Sequence, residues 1–257
     1  MSERPVALVT GSSRGMGRSI ALALARAGCD IAVHYRRQAE SAQLVAKEVT
    51  AAGVDALVMA GDLSDAGTPA ALLGAVEERF GRLDILIGNA AATAFKPLAD
   101  LTARHLDLTM HTVIQSFLLL AQGAVPLMAG RPGTMVAVSG FDSFLVVENH
   151  GLLGPAKAAL EHLVRNLAVD LGPHDIAVNG VNPGLVVTDS SRMWAETSYP
   201  GGVAAMERVA AATPIGRMLD TTEIADVVAF LCSPAGRSIR GQTIQVDGGL
   251  TLRWTMP

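Results

Sequence analysis

Cysteine is nearly missing from this chain, with only Cys29 and Cys232 among 257 residues. Two thiols so far apart in sequence build neither a disulfide framework nor a metal-ligand set, so no metal is expected. A reduced, cytoplasmic setting is the expectation that follows. Charge is also sparse, 17% of residues with a net charge of −4, which leaves no electrostatic footprint for a nucleic acid. No charged-then-apolar leader precedes the first apolar run at Val6. The longest apolar stretch, 117–128, is broken by Gln122, Gly123 and Pro126, and is read as too short and too interrupted to cross a bilayer. Internal repeats, linkers and low-complexity segments are absent as well. What is abundant is apolar side chain, half of all residues, enough for a large core.

The most informative stretch is Thr10-Gly11-Ser12-Ser13-Arg14-Gly15-Met16-Gly17. An apolar run precedes it and a helical pattern follows it. Glycine lets the backbone turn sharply and come close to a pyrophosphate. The unpaired N–H groups of the first helical turn then point at the anion.

Strand patterns at 6–10, 30–35, 56–60, 83–88, 134–139, 176–182 and 243–246 alternate with helical patterns at 18–27, 40–52, 69–80, 102–128, 155–171 and 221–231. Such alternation implies right-handed crossovers and a parallel sheet. The fold class is α/β: one doubly wound parallel sheet of the Rossmann type, a single domain over 1–257. Residues 187–214 carry the weakest pattern and are expected to form a lid or short helices over a site.

Ligands of such sheets bind beyond the carboxyl ends of the strands. Those ends here are Thr10-Gly11, Tyr35-Arg36, Gly61-Asp62, Gly88-Asn89, Ser139-Gly140 and Asn182-Pro183-Gly184. A preference for NAD calls for an acid after the second strand. Here Tyr35 is followed by Arg36 and Arg37, with Arg14 in the glycine loop, and guanidinium groups suit a phosphate monoester. NADP(H) is therefore favoured over NAD. Asp62 and Leu63 are placed to meet an adenine.

These residues carry a resemblance to the short-chain dehydrogenase/reductase family along nearly the whole chain. The matching motifs are Thr10-Gly11-x-x-x-Gly15-x-Gly17, Asp62-Leu63, Gly88-Asn89-Ala90-Ala91, Lys157, Asn182-Pro183-Gly184 with Thr188, Pro214-x-Gly216-Arg217, and Gly241-Gln242 through Asp247-Gly248-Gly249. The resemblance implies NAD(P)H held by the glycine loop, Gly11, Ser13, Arg14, Gly15, Met16 and Gly17. It implies that Asn89 and Ala90 steady the central strands. It implies that Pro183, Gly184, Val186 and Thr188 hold the nicotinamide carboxamide, and that Lys157 hydrogen-bonds the nicotinamide ribose. It also implies a homo-oligomer, dimer or tetramer.

The family's catalytic set is only partly matched. It consists of a serine, a tyrosine four residues before the lysine, and an asparagine in the long helix. Lys157 is present, but Leu153 stands at the tyrosine position, Gly140 at the serine position, and 108–115 has no asparagine. Leucine cannot donate a proton. The family's enoyl-thioester reductases place their tyrosine seven residues before the lysine, and that spacing falls on His150. Imidazole can serve there as proton or hydrogen-bond donor to a carbonyl or enolate oxygen. Ser139 and Ser143 are candidates for orienting substrate, and His111 is read as a core histidine. Two functions stay open. One is an NADPH-dependent reductase of an apolar ketone or activated alkene. The other is a cofactor-binding partner subunit without turnover.

Overall fold

The computed structural model describes residues 4–252. The outermost residues of the 1–257 domain expectation, 1–3 and 253–257, lie outside the described residues. Seven parallel strands form one sheet: β1 Val6–Val9, β2 Asp30–Tyr35, β3 Ala56–Ala60, β4 Ile85–Gly88, β5 Gly133–Val138, β6 Ile176–Pro183 and β7 Thr243–Val246. Their order is β3-β2-β1-β4-β5-β6-β7, so the winding reverses between β1 and β4. That reversal opens the crevice in which such sheets bind ligands.

Alternate residues of each central strand feed opposite cores, as the period of two demands. Val6 and Leu8 of β1 pack with α3 (Thr68–Phe80), α5 (Ser116–Met128) and α6 (Leu153–Asp170). Ala7 and Val9 pack on the other face with α1 (Gly15–Arg26), α2 (Ala39–Ala51) and α9 (Thr221–Cys232). A smaller third cluster joins α7 (Asp189–Ser198) and α8 (Gly202–Ala211) to Phe95, Phe141 and Val147. The weakly patterned 187–214 stretch thus holds two short helices.

Three sequence expectations change. The helix expected over 102–128 is α4 (Ala103–Met110), a π-helical turn at His111–Gln115, and then α5. The widened turn covers the segment in which the family's asparagine was sought. His111, expected in the core, is exposed. The helical run Ala103–Met128 continues through Gly123 and Pro126, and by length and composition it could cross a membrane. Its apolarity is accounted for by packing, because Phe117, Leu120, Ala121, Ala124 and Met128 are buried against the sheet.

Candidate active site

The glycine loop is held from three sides. Ser12 donates its hydroxyl to the Val9 carbonyl at 2.8 Å and accepts the His34 N–H at 3.1 Å. His34 Nδ1 accepts the Gly11 N–H at 3.0 Å, and Nε2 lies 3.1 Å from the Gly61 carbonyl. The imidazole therefore carries its proton on Nε2 and bridges two strand ends. Burial lowers the His34 pKa, which favours this neutral form. Asn89 Nδ2 donates to the Thr10 and Gly11 carbonyls at 2.9 and 3.2 Å. Thr10 Oγ1 accepts from the Asn89 and Ala90 N–H groups at 2.9 and 3.1 Å.

The loop fits a pyrophosphate. Gly11 and Gly15 have φ of +63° and +55°, a region that glycine enters without strain. A Cβ on Gly17 would lie 2.5 Å from Asn89 Nδ2 and still nearer the Gly11 carbonyl, so the backbone is left bare. Arg14 at the N-cap of α1 makes no side-chain cap bond, and no acid lies in the first turn. The first N–H groups of the helix remain available for an anion. Ser13 is buried in the loop, and Met16 packs half-buried against the α1 side of the sheet.

Two of the three arginines are held in ion pairs at the rim of the crevice. Arg36 pairs with Asp62 at 3.8 Å, and Arg14 with Asp189 at 3.1 Å, both across half-exposed side chains. Exposed pairs of this kind are weak and easily exchanged for a stronger anion. Arg37 is exposed beside them, while Tyr35 packs on the core. Leu63 is buried in the core cluster that includes α3. At the other end, Pro183 closes β6, and the Gly184 N–H donates to the Val246 carbonyl at 3.0 Å. Val186 is buried and bridges to Leu219. Thr188 caps α7, with its methyl 3.7 Å from where a Cβ on Gly15 would stand.

Lys157 lies in the first turns of α6, buried, with Nζ donating to the Val138 carbonyl at 2.5 Å. Ser139 donates to Glu161 at 2.6 Å. Asn182 Nδ2 donates to Glu161 at 3.0 Å and to Ser143 Oγ at 3.1 Å. The two serines are thus tied into one network through Glu161 and Asn182, the second of these already marked by the sequence as a strand end. Burial pushes the Lys157 ammonium down to about 8 from 10.5, opposed by the charges of Asp142 and Glu161. Between these two values the unfolded chain binds the extra proton, so this lysine adds stability as pH rises through the window. Relative to Lys157→Met, the wild type should gain up to about 3 kcal/mol from about pH 8 to about pH 10.5. Urea unfolding of both proteins across that window reads it. A pH-independent difference would contradict the burial of a charged amine here.

His150 stands on the turn before α6. Its Nδ1 is 2.8 Å from Asp142 Oδ2, within ion-pair distance but out of line for a hydrogen bond. Its ring stacks on Phe95 at 5.5 Å between centroids, nearly parallel, and leans on Trp194 at 5.0 Å. Trp194 in turn meets Tyr199 edge-on at 5.3 Å. With Nδ1 turned to Asp142, Nε2 is the nitrogen left to meet a ligand. Leu153, at the tyrosine position, packs half-buried against the core. The sequence missed His34, Ser12 and Asp142. A polar residue inside an apolar strand was the available signal for His34, and an acid two residues past Gly140 was the signal for Asp142.

Comparison with known proteins places the chain among oxidoreductases of one fold. The family model described as enoyl-(acyl carrier protein) reductase matches residues 11–251. The 1-cyclohexenylcarbonyl-CoA reductase of Streptomyces collinus is 40% identical over 249 residues, 97% of this chain and 88% of that protein. A short-chain dehydrogenase from Burkholderia cenocepacia, solved with NADP, is 33% identical and superposes with a TM-score of 0.87 over 96% of this chain and 97% of that one. The L-sorbose reductase of Gluconobacter frateurii, solved with NADPH and L-sorbose, is 28% identical, with a TM-score of 0.89 over 98% of each chain.

Proposed function

The chain belongs to the short-chain dehydrogenase/reductase family, and we propose that within it the protein is an NADPH-dependent reductase of an activated double bond, an enoyl thioester above all. It is an oxidoreductase; its relatives are named reductases and give no support to a partner subunit without turnover. The observation that carries the enoyl reading is His150, held by Asp142 and walled by Phe95 and Trp194, where the spacing of the enoyl reductases places their acid.

When bound, the reduced nicotinamide supplies hydride. The chain's own work is to hold the nucleotide and to neutralise the charge that develops on the substrate oxygen. Gly11, Gly15 and Gly17 bare the backbone for the pyrophosphate. Lys157, presented from α6 beside Val138, reaches the nicotinamide ribose. Pro183, Gly184, Val186 and Thr188 face the carboxamide. His150 donates from Nε2 to the thioester oxygen. An enolate held in this way needs only a hydrogen bond at oxygen, and its carbon can be protonated afterwards, so a histidine suffices where a ketone would need a committed acid. The aromatic cluster and the helices α7 and α8 form an apolar lid over 187–214 that suits a cyclic or branched acyl group and excludes water.

The test is NADPH oxidation with 1-cyclohexenylcarbonyl-CoA, crotonyl-CoA, a quinone and a diketone. Turnover of the enoyl thioesters is expected. Tight NADPH binding with no turnover of any of them overturns the reading.

Arg14, Arg36 and Arg37 are proposed to receive the 2′-phosphate, with Arg36 and Arg14 released from Asp62 and Asp189. Charge-assisted hydrogen bonds to phosphate are worth about 1.5–3 kcal/mol each. Arg36→Ala with Arg37→Ala should therefore weaken NADPH at least about 100-fold and leave NADH within about twofold. Fluorescence titration with both nucleotides reads this, and equal loss for both would remove the arginines from phosphate selection.

A further inference from the structure

The serine of the family's catalytic set is replaced by Gly140, and the structure shows what uses the vacated space. Gly140 has an extended backbone, φ −174°, so no strain asks for glycine. A Cβ there would lie 2.6 Å from Asp142 Oδ1. A second glycine clears the other side, because a Cβ on Gly154 would lie 2.5 Å from the Asp142 carbonyl. Asp142 itself is buried, on the short 3₁₀ turn Phe141–Ser143 that packs against α6. Its other oxygen, Oδ2, faces His150 Nδ1 at 2.8 Å. A buried carboxylate is costly unless a positive partner stands beside it. Among the described residues, the Lys157 ammonium interacts with it by charge and the His150 ring stands against its Oδ2.

We propose that Asp142 and His150 together replace the missing serine and tyrosine: Asp142 takes the serine's volume and acts as the positioning residue that orients the imidazole, with Gly140 as the steric condition for it. This rests on His150 being the donor. Asp142 touches neither substrate nor nucleotide in this arrangement. It faces Nδ1, which leaves Nε2 for the crevice, and its charge also acts on the buried ammonium of Lys157. The two residues that the sequence has lost and the two that it has gained are then one exchange, coupled through a shared volume.

Two independent readouts test this. The first uses NADPH and 1-cyclohexenylcarbonyl-CoA as the probe pair. Asp142→Asn should lower kcat about 100-fold, the scale of a misplaced catalytic group. KM for both substrates should stay within about twofold, and no further loss should appear in the His150→Phe background. If His150→Phe is slow and Asp142→Asn is as fast as wild type, the positioning role is overturned and the donor assignment stands. If Asp142→Asn slows the His150→Phe protein as much as the wild type, Asp142 does not act through the imidazole, and the proposal is again overturned. A His150→Phe protein as fast as wild type overturns the donor assignment, and the pairing with it.

The second readout needs no turnover. Gly140→Ser should lower Tm by about 3–10 °C in the wild type, through overpacking, and far less when Asp142 is already alanine. Equal losses in both backgrounds would show that Asp142 does not occupy the serine's place.

Discussion

Gly17→Ala should abolish useful NADPH binding, with affinity falling at least about 100-fold, on the scale seen when reacting or binding groups are displaced by about 1 Å. The added methyl has nowhere to go. It would stand 2.5 Å from Asn89 Nδ2 and against the Gly11 carbonyl. These are two ends of one hydrogen bond, since Asn89 Nδ2 donates to that same carbonyl. Relief means breaking the bond that steadies the loop on β4, or lifting the start of α1 away from it. Overpacking of this kind costs about 1–3 kcal/mol in stability. Gly28→Ala is the matched control. Gly28 has φ +89° and nothing within 4 Å of its would-be Cβ, so it pays in backbone strain alone and should bind NADPH as the wild type does. Fluorescence titration of the two variants separates the cases. Wild-type affinity in Gly17→Ala would mean that the nucleotide does not use this cradle.

His150→Phe should lower kcat by about 10²–10⁴, the usual contribution of a positioned acid or donor. Phenylalanine keeps the flat ring that stacks on Phe95 and leans on Trp194, so the wall of the site stays in place. What disappears is the donor at Nε2 and the ring nitrogen that faces Asp142. The loss should therefore fall on kcat, with NADPH affinity unchanged, because the nucleotide cradle lies on other strand ends. Steady-state kinetics with an enoyl thioester decides it. A KM effect alone would make His150 part of the substrate wall and no more.

Much of the molecule was legible in the order of residues. Strand spacing and the apolar runs of β1, β4 and β5 placed the sheet, because a strand covered on both faces must be apolar at every position. The glycine loop announced its ligand because positive φ and close backbone approach leave glycine as the residue of choice. The preference for NADP(H) was argued from the charge of the arginines after β2, and structural relatives hold NADP or NADPH. The long helix was misjudged over 111–115, where it widens into a π-helical turn that periodicity alone does not register.

The sequence by itself determined the doubly wound fold, the nucleotide cradle and the absence of serine and tyrosine from their usual places, because these depend on spacing along the chain and on the conformational limits of single residues. Only the tertiary structure decided that Asp142 fills the space above Gly140 and faces His150, that His34 carries the glycine loop, and that Ser139 and Ser143 are bound to Glu161 and Asn182. Those facts concern which side chains share a volume, and shared volume is set by how α6, the 3₁₀ turn and the strand ends pack together, not by their distance in sequence.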